Sequence, residues 1–309
     1  MGIGAKINTT KEENMKKAES NIIFNSRKPL YVLDDLILPK KIKNKILDIA
    51  CYAENSNLVF KTWGLESTHK FSRKIGINLW GPPGTGKTMA AHAIANYLNR
   101  EILIVNYADI ESKYVGETPK NICKAFEKAR NDNSILFFDE ADAILSRRVT
   151  NMSHSTDVSV NQTRSVMLML LNDYQDIVIF ATNFIENFDP AFMRRILMHI
   201  KFELPDEECR YLLWQKYIPR LMPNNFDISY ISKQYDGLSG SDISNAVLSA
   251  AFTAARNRQD IVKQENLEEA IKNILDSKKA NEKEKVSVTT RKVSEDYVKS
   301  QIKISNGDE

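Results

Sequence analysis

The chain has 309 residues, and its 43 Lys and Arg nearly balance 40 Asp and Glu, for a net charge of +3 that points to no polyanionic partner. Cys51, Cys123 and Cys209 lie far apart with no C-x-x-C pair among them and only four histidines beside them, so they read as reduced packing cysteines and not as a zinc site. No apolar run reaches the ~18 residues that span a bilayer, and MGIGAKINTTKEENMKK holds neither a signal-peptide core nor the Ser or Thr of a myristoylation signal. A soluble, cytoplasmic protein of one large or two modest domains is expected, without a membrane span.

Residues 1–29 are polar and mixed in charge, an arm with room for one short helix over 12–20. YVLDDLILPKKIKNKILDIACYA, residues 31–53, predicts a brief extended segment and then an amphipathic helix, with Ile42, Ile46 and Ile49 at helical spacing. Residues 54–75 carry no period and are expected to be irregular.

Ile77, Leu79 and Trp80 then predict a strand over 76–80, followed at once by GPPGTGKT and a helix over MAAHAIANYL, residues 89–98. Gly81, Gly86, Lys87 and Thr88 take the fixed positions of G-x-x-x-x-G-K-[ST], with Pro82, Pro83, Gly84 and Thr85 between them. The chemistry calls for this composition: glycines let backbone N–H groups curl around phosphates with no side chain in the way. Lys87 is placed to reach the β- and γ-phosphates as a point charge, and the Thr88 hydroxyl to ligate Mg2+. A bound nucleoside triphosphate is implied.

A second strand is expected over 101–107, and Thr118-Pro119 marks a helix start, with Ile122, Phe126 and Ala129 on one face. ILFF, residues 135–138, is continuous and apolar, as a strand buried on both faces should be. It runs into Asp139-Glu140-Ala141-Asp142, where Asp139 suits Mg2+ and Glu140 suits the group that positions and polarises an attacking water. Residues 146–161 are polar and Ser-rich, an expected mobile loop. Val166–Leu171 belongs to a helix, IVIF (177–180) to a fourth strand ending at Ala181-Thr182-Asn183, and 199–203 to a fifth. Strands alternating with helices predict a parallel sheet covered on both faces, with ligands at its carboxyl edge. Beyond Pro205 the pattern is wholly helical, over 207–217, 228–234, 241–257 and 264–275, and from Ser277 a charged, solvated tail follows with one further helix over 293–302.

Taken in order, GPPGTGKT (81–88), SKYVGET (112–118), ILFFDEAD (135–142), IFATN (179–183), DPAFMRR (189–195) and GLSGSDI (237–243) make residues 31–275 resemble an AAA ATPase. The resemblance implies an α/β fold: a parallel-sheet P-loop ATPase domain over 30–205, then a small all-helical lid domain over 206–276, with the arm 1–29 and the tail 277–309 outside them. It implies ATP and Mg2+ as ligands. Asn183 matches the family's sensor, which holds water against the γ-phosphate. Arg194 and Arg195 match arginine fingers that complete a neighbouring subunit's site, so a homo-oligomer, usually a hexamer, is implied. Gly240 and Ser241 match the pair that approaches the nucleotide from the lid, and Asp35, Leu36 and Ile37 match the segment that brackets adenine. The chain departs from the family pattern in Ile37-Leu38-Pro39, where glycines often follow, in Ser241 for Ala, and in Ile196 where an aromatic is common.

SKYVGET matches the first pore loop of protein-remodelling members, with Tyr114 as the gripping aromatic and Lys113 and Val115 beside it; 146–161, with Arg147 and Arg148, matches the second. The motifs resemble those of the katanin, spastin and ESCRT-disassembly motors. The arm is expected to be too short for the coiled coil and barrel of proteasomal ATPases, and no HExxH motif of the membrane AAA proteases is present. A ring motor that pulls a partner protein through its pore, directly or through an adaptor, is therefore expected, with a HORMA-like signalling protein as a candidate substrate. A nucleic-acid motor (an initiator, helicase loader or clamp loader) competes, since Tyr114 can stack on bases and Lys113 can meet phosphate; the balanced charge and the lack of an appended DNA-binding module speak against it. A nucleotide-switched scaffold is disfavoured by Glu140, Asn183 and both arginines.

Overall fold

A computed structural model describes residues 22–68, 75–111, 117–146, 155–183 and 188–283. Five strands, β1 (Ile75–Trp80), β2 (Ile102–Asn106), β3 (Ile135–Asp139), β4 (Ile177–Thr182) and β5 (Met198–Lys201), form one sheet in the order β2-β3-β4-β1-β5. All its ladders are parallel. Helices α1 (Lys40–Asn57), α2 (Lys87–Tyr97), α3 (Tyr107–Ile110), α4 (Glu117–Asp132), α5 (Asp142–Leu145), α6 (Ser155–Asp173) and α7 (Pro190–Met193) accompany it.

The strand sequences explain the layering. ILFFD and IVIFAT are apolar at both parities because helices cover both faces. Ile77, Leu79, Phe137 and Ile179 pack with Ala90, Ala91 and Ile94 of α2 and with the Ile42, Ile46 and Ile49 stripe of α1. Leu136, Phe138 and Phe180 pack on the other face with Ile122, Phe126 and Ala129 of α4. Each such side chain contributes about 1.5–3 kcal/mol when fully buried, and Phe138 and Phe180 also stack at 5.4 Å. Beyond the sheet, α8 (Glu207–Tyr217), α9 (Ile228–Gln234), α10 (Gly240–Arg256) and α11 (Gln264–Lys283) close around their own core of Trp214, Ile231, Leu238, Ile243, Leu267 and Ile271. The α/β fold with a helical lid is thus present as expected.

Several boundaries differ from those expected. α4 starts at Glu117, which puts Thr118 inside the first turn and buried, not at the N-cap. α6 starts at Ser155, so the later part of the expected loop 146–161 is helix, the polar run being compatible with a first turn; Arg147 and Arg148 lie outside the described residues. Residues 54–75 are not all irregular: α1 runs to Asn57, then come a π-helical turn (Leu58–Thr62) and a 3-10 turn (Leu65–Ser67). α11 runs past 276 to Lys283, because a charged run is as compatible with a solvated helix end as with a tail; the helix expected over 293–302 lies outside the described residues.

The largest correction concerns the arm. Residues 22–29 belong to the α/β domain: Phe24 is buried in the core, and Ser26 Oγ donates to Asp132 Oδ2 at 2.5 Å. Arg27 forms an antiparallel bridge with Ile102, each N–H reaching the other's carbonyl at 2.9 Å. The remainder of the arm, including the helix expected over 12–20, lies outside the described residues.

Candidate active site

At the carboxyl edge, β1 delivers its chain into the glycine-rich turn. Gly81 has φ +143°, and a Cβ there would lie 2.0 Å from the Phe202 carbonyl oxygen, so only glycine lets the turn start against the chain leaving β5. Gly86, at φ +97°, caps α2. Lys87 is buried in the middle of the turn, and its Nζ donates to Gly81 O (2.7 Å), Pro82 O (2.9 Å) and Asn183 Oδ1 (3.0 Å). All three protons of the ammonium are thereby placed. Burial pulls the Lys87 ammonium below its ordinary pKa, and the Asp139 and Asp142 carboxylates push it back up.

The other groups converge from separate strands. Thr88 Oγ1 donates to Asp139 Oδ2 at 2.9 Å, joining the first turn of α2 to the end of β3. Asp139 Oδ1 accepts the Glu140 N–H at 3.0 Å. Glu140 stands at φ +51°, a left-handed conformation that costs a non-glycine residue about 1–2 kcal/mol. Its exposed side chain lines the cavity. Asn183 follows β4, and its backbone N–H meets both carboxylate oxygens of Asp142, at 3.2 and 3.3 Å. Asp142 therefore fixes the Asn183 backbone, a role the sequence did not indicate.

A cavity of about 380 Å³ opens between the sheet edge and the lid. Pro83 to Thr88, Asp139, Glu140 and Asn183 line it from the sheet edge, together with Leu36, Ile37 and Leu38 and with Lys216 and Tyr217 of α8. Gly240 and Ser241 line it from the lid, and the Ser241 N–H donates to Gly84 O at 3.3 Å. Gly84, at φ +73°, has no room for a side chain: a Cβ there would sit 2.6 Å from Ser239 Oγ and 2.8 Å from Ser241 Oγ. Lys216 of α8 donates to the Asp35 carbonyl at 2.8 Å, with the Asp35 carboxylate at 3.6 Å. Lys216, Tyr217 and Leu213 were not singled out from the sequence, because no motif marks them.

The arginine segment follows α7, whose N-cap Asp189 accepts from the Ala191 N–H at 2.8 Å. Arg195 is tethered, Nε to Asn172 Oδ1 at 2.9 Å and a guanidinium NH2 group to the Ala191 carbonyl at 2.8 Å. Arg194 is exposed; its backbone N–H reaches the Pro190 carbonyl at 3.3 Å, while its side chain makes no hydrogen bond among the described residues. Neither lines the cavity of its own chain. Lys113, Tyr114 and Val115 lie outside the described residues, between α3 and α4.

A glycine-rich turn, a buried lysine, a hydroxyl–carboxylate pair and a strand-end asparagine on one parallel-sheet edge define a P-loop nucleotide site. Residues 77–204 match the ATPase family associated with various cellular activities (AAA), and residues 225–269 match the AAA+ lid domain. The chain carries an AAA ATPase domain followed by an AAA lid domain. It is 34% identical over 211 residues to the proteasome-activating nucleotidase of Methanopyrus kandleri, a match covering 66% of this chain and 48% of that protein. Its identity to the proteasome-activating nucleotidase of Saccharolobus solfataricus is 34% over 207 residues, covering 64% and 52%. To 26S proteasome subunit RPT4 of Saccharomyces cerevisiae it is 31% over 212 residues, covering 66% and 48%. The chain spans about half the length of these curated relatives. They are named for the proteasome, and proteasomal ATPases are the group set aside above on the length of the arm. Among the described residues no helix is long and apolar enough to cross a membrane.

Proposed function

We propose that this chain hydrolyses ATP at the boundary between neighbouring copies in a homo-oligomeric ring, of six subunits, and uses the cycle to unfold or disassemble a partner polypeptide. One observation carries the hydrolytic part: Lys87 with Asn183 and Thr88 with Asp139 are bonded at 3.0 and 2.9 Å, with Glu140 facing the same cavity. Gly81, Gly84 and Gly86 all take positive φ, and a turn free of side chains at these positions lets backbone N–H groups curl around a polyphosphate. Thr88 and Asp139 offer the hard oxygen donors that suit Mg2+, and they are the residues that would hold it. Bound there, Mg2+ neutralises charge on the phosphates.

The chain's own groups divide the remaining work. Lys87 binds the phosphate charge. Asn183 holds Lys87 through Oδ1, which leaves its amide nitrogen to orient a water. The Glu140 carboxylate takes the proton of that water as it attacks. Leu36, Ile37, Gly240 and Ser241 hold the nucleotide from the base and lid sides. Arg194 and Arg195 act on the neighbour's phosphates, where a guanidinium stays charged and bridges two oxygens.

The remodelling part rests on the pore-loop residues Lys113, Tyr114 and Val115 and on relatives named for activating the proteasome. We place the ring in the cytoplasm and give it a polypeptide substrate, delivered directly or by an adaptor. A HORMA-like substrate draws no support from these relatives, and nucleic acid is not an expected partner. The Glu140→Gln protein tests the whole reading. Calorimetry should show ATP affinity within about threefold of wild type, turnover should drop by about 100-fold or more, and substrate should stay bound to the ring. Turnover comparable to wild type would remove Glu140 from its role.

A further inference from the structure

β1 carries a polar side chain in the middle of an apolar strand. Asn78 stands between Ile77 and Leu79, is fully buried, and has strands on both sides, β4 and β5. Its Oδ1 accepts the Thr182 hydroxyl at 3.3 Å, while its Nδ2 is buried with no partner among the described residues. Turning the amide over exchanges the two ends and leaves one still unmet. Such a group costs about 1–3 kcal/mol that an apolar residue would not. A local rule broken in the interior at a cost points to a role beyond packing.

A second group shares the problem. The register partner of Asn78 on β5 is His199, so the two side chains leave the sheet on the same side. His199 Nδ1 and Nε2 are both buried without a partner among the described residues. Burial draws its pKa below the ordinary histidine value, opposed by the Met193 backbone beside it, which makes no hydrogen bond of proper geometry. Thr182, Asn78 and His199 thus form a polar row across β4, β1 and β5.

Each end of the row meets part of the candidate site. Thr182 precedes Asn183, the partner of Lys87, and its carbonyl accepts the Gly81 N–H at 3.2 Å. His199 follows closely on Arg194 and Arg195, and the arginine segment leans on β1 itself. The Leu197 N–H donates to Gly76 O at 2.9 Å, and a Cβ on Gly76 would lie 3.2 Å from Ile196 Cα and 3.3 Å from the Arg195 carbonyl oxygen. Gly76 and Asn78, two apart on the strand, face the same side.

We propose that Asn78 and His199 are positioning residues that couple the Lys87–Asn183 contact to the arginine segment. The Asn78 amide has two settings, one bonded to Thr182 alone and one that also donates to the His199 imidazole, and nucleotide at Lys87 selects between them through Thr182. A two-state element that both sites bias is what such coupling requires. The inference rests on the proposed ATP site.

Hydrogen exchange on the full chain, with and without a non-hydrolysable ATP analogue and Mg2+, tests it. In wild type, nucleotide should slow exchange over both 81–88 and 194–201. In Asn78→Leu, in Asn78→Leu with Thr182→Val, and in His199→Phe, 81–88 should stay protected while the response over 194–201 falls about fivefold. The double variant removes both partners of the buried bond, so its melting temperature should equal or exceed that of wild type. A response over 194–201 equal to wild type in all three variants overturns the link alone. A lost response accompanied by a fall in the double variant's melting temperature also overturns it, marking a packing role. No protection over 81–88 in wild type overturns the link together with the ATP site beneath it.

Discussion

At the sheet edge, Lys87 reaches Asn183 and Thr88 reaches Asp139 inside one domain, at 3.0 and 2.9 Å and around a buried ammonium. Elsewhere on the cavity wall, Lys216 of the lid reaches Asp35 of the α/β domain, and the two side chains are 35% and 39% exposed. In the first set Lys87 is buried and its partners stand at the ends of strands packed in the core, although the Thr88–Asp139 bond itself is exposed. The second is an exposed ion pair of the kind that contributes little and weakens with salt. On the proposed reading the first set is the phosphate end, already assembled within one domain, and the second is the base end, which depends on how the lid is seated. Gly84 is the joint between them, since the lid serines close on it.

Arginine substitutions test whether the phosphate end is complete within one chain, and they carry the largest expected effect. Arg194→Ala should reduce ring turnover by up to about 10³-fold, the scale of a finger on phosphate, with an unchanged melting temperature because the side chain is exposed. Arg195→Ala should also destabilise the fold by about 1 kcal/mol, through its lost bonds to Asn172 and Ala191. Mixing the Arg194→Ala protein with Lys87→Ala subunits should restore some hydrolysis; none, despite shown co-assembly, would count against action in trans.

Gly84→Ala strikes the joint. Backbone strain and the clash with Ser239 and Ser241 together should weaken nucleotide binding by about 30-fold, or ~2 kcal/mol, read by titration with a fluorescent nucleotide. Unchanged affinity would mean that the lid does not rest on the glycine-rich turn in solution. The smallest effect is expected at the base end, where Lys216→Met should weaken nucleotide binding only about two- to threefold, and less at high salt. A loss as large as that of Gly84→Ala would erase the distinction between the two ends.

What could be read beforehand follows the same division. Gly81 to Thr88, Asp139 and Glu140 stood out in the sequence because phosphate, metal and water chemistry favour those residue types, and Asn183 through the family resemblance; Pro83 to Thr88, Asp139, Glu140 and Asn183 do line one cavity. The sheet was legible because strands buried on both faces must be apolar at both parities, as in ILFF and IVIF. Asp142 escaped because an acid after Asp139-Glu140 has no distinctive pattern of its own. Lys216 escaped because its partner is a backbone carbonyl, to which any sequence contributes. The different fates of Arg194 and Arg195 depend on Asn172, a contact between segments that no local pattern encodes. Phe24 and Arg27 were hidden in a polar stretch, since the short apolar run Ile22-Ile23-Phe24 and one bridge make too short a strand to show a period.

That single bridge has a consequence for solubility. β2, with the sequence ILIVN, lies at the edge of the sheet, and a flat apolar edge offers unpaired N–H and C=O groups to any other chain. Arg27 occupies the Ile102 N–H and carbonyl and puts a cationic side chain beside that edge. The segment entering the domain therefore acts as a guard against strand addition and self-association, and a chain shortened past Arg27 should lose that guard before it loses its nucleotide site.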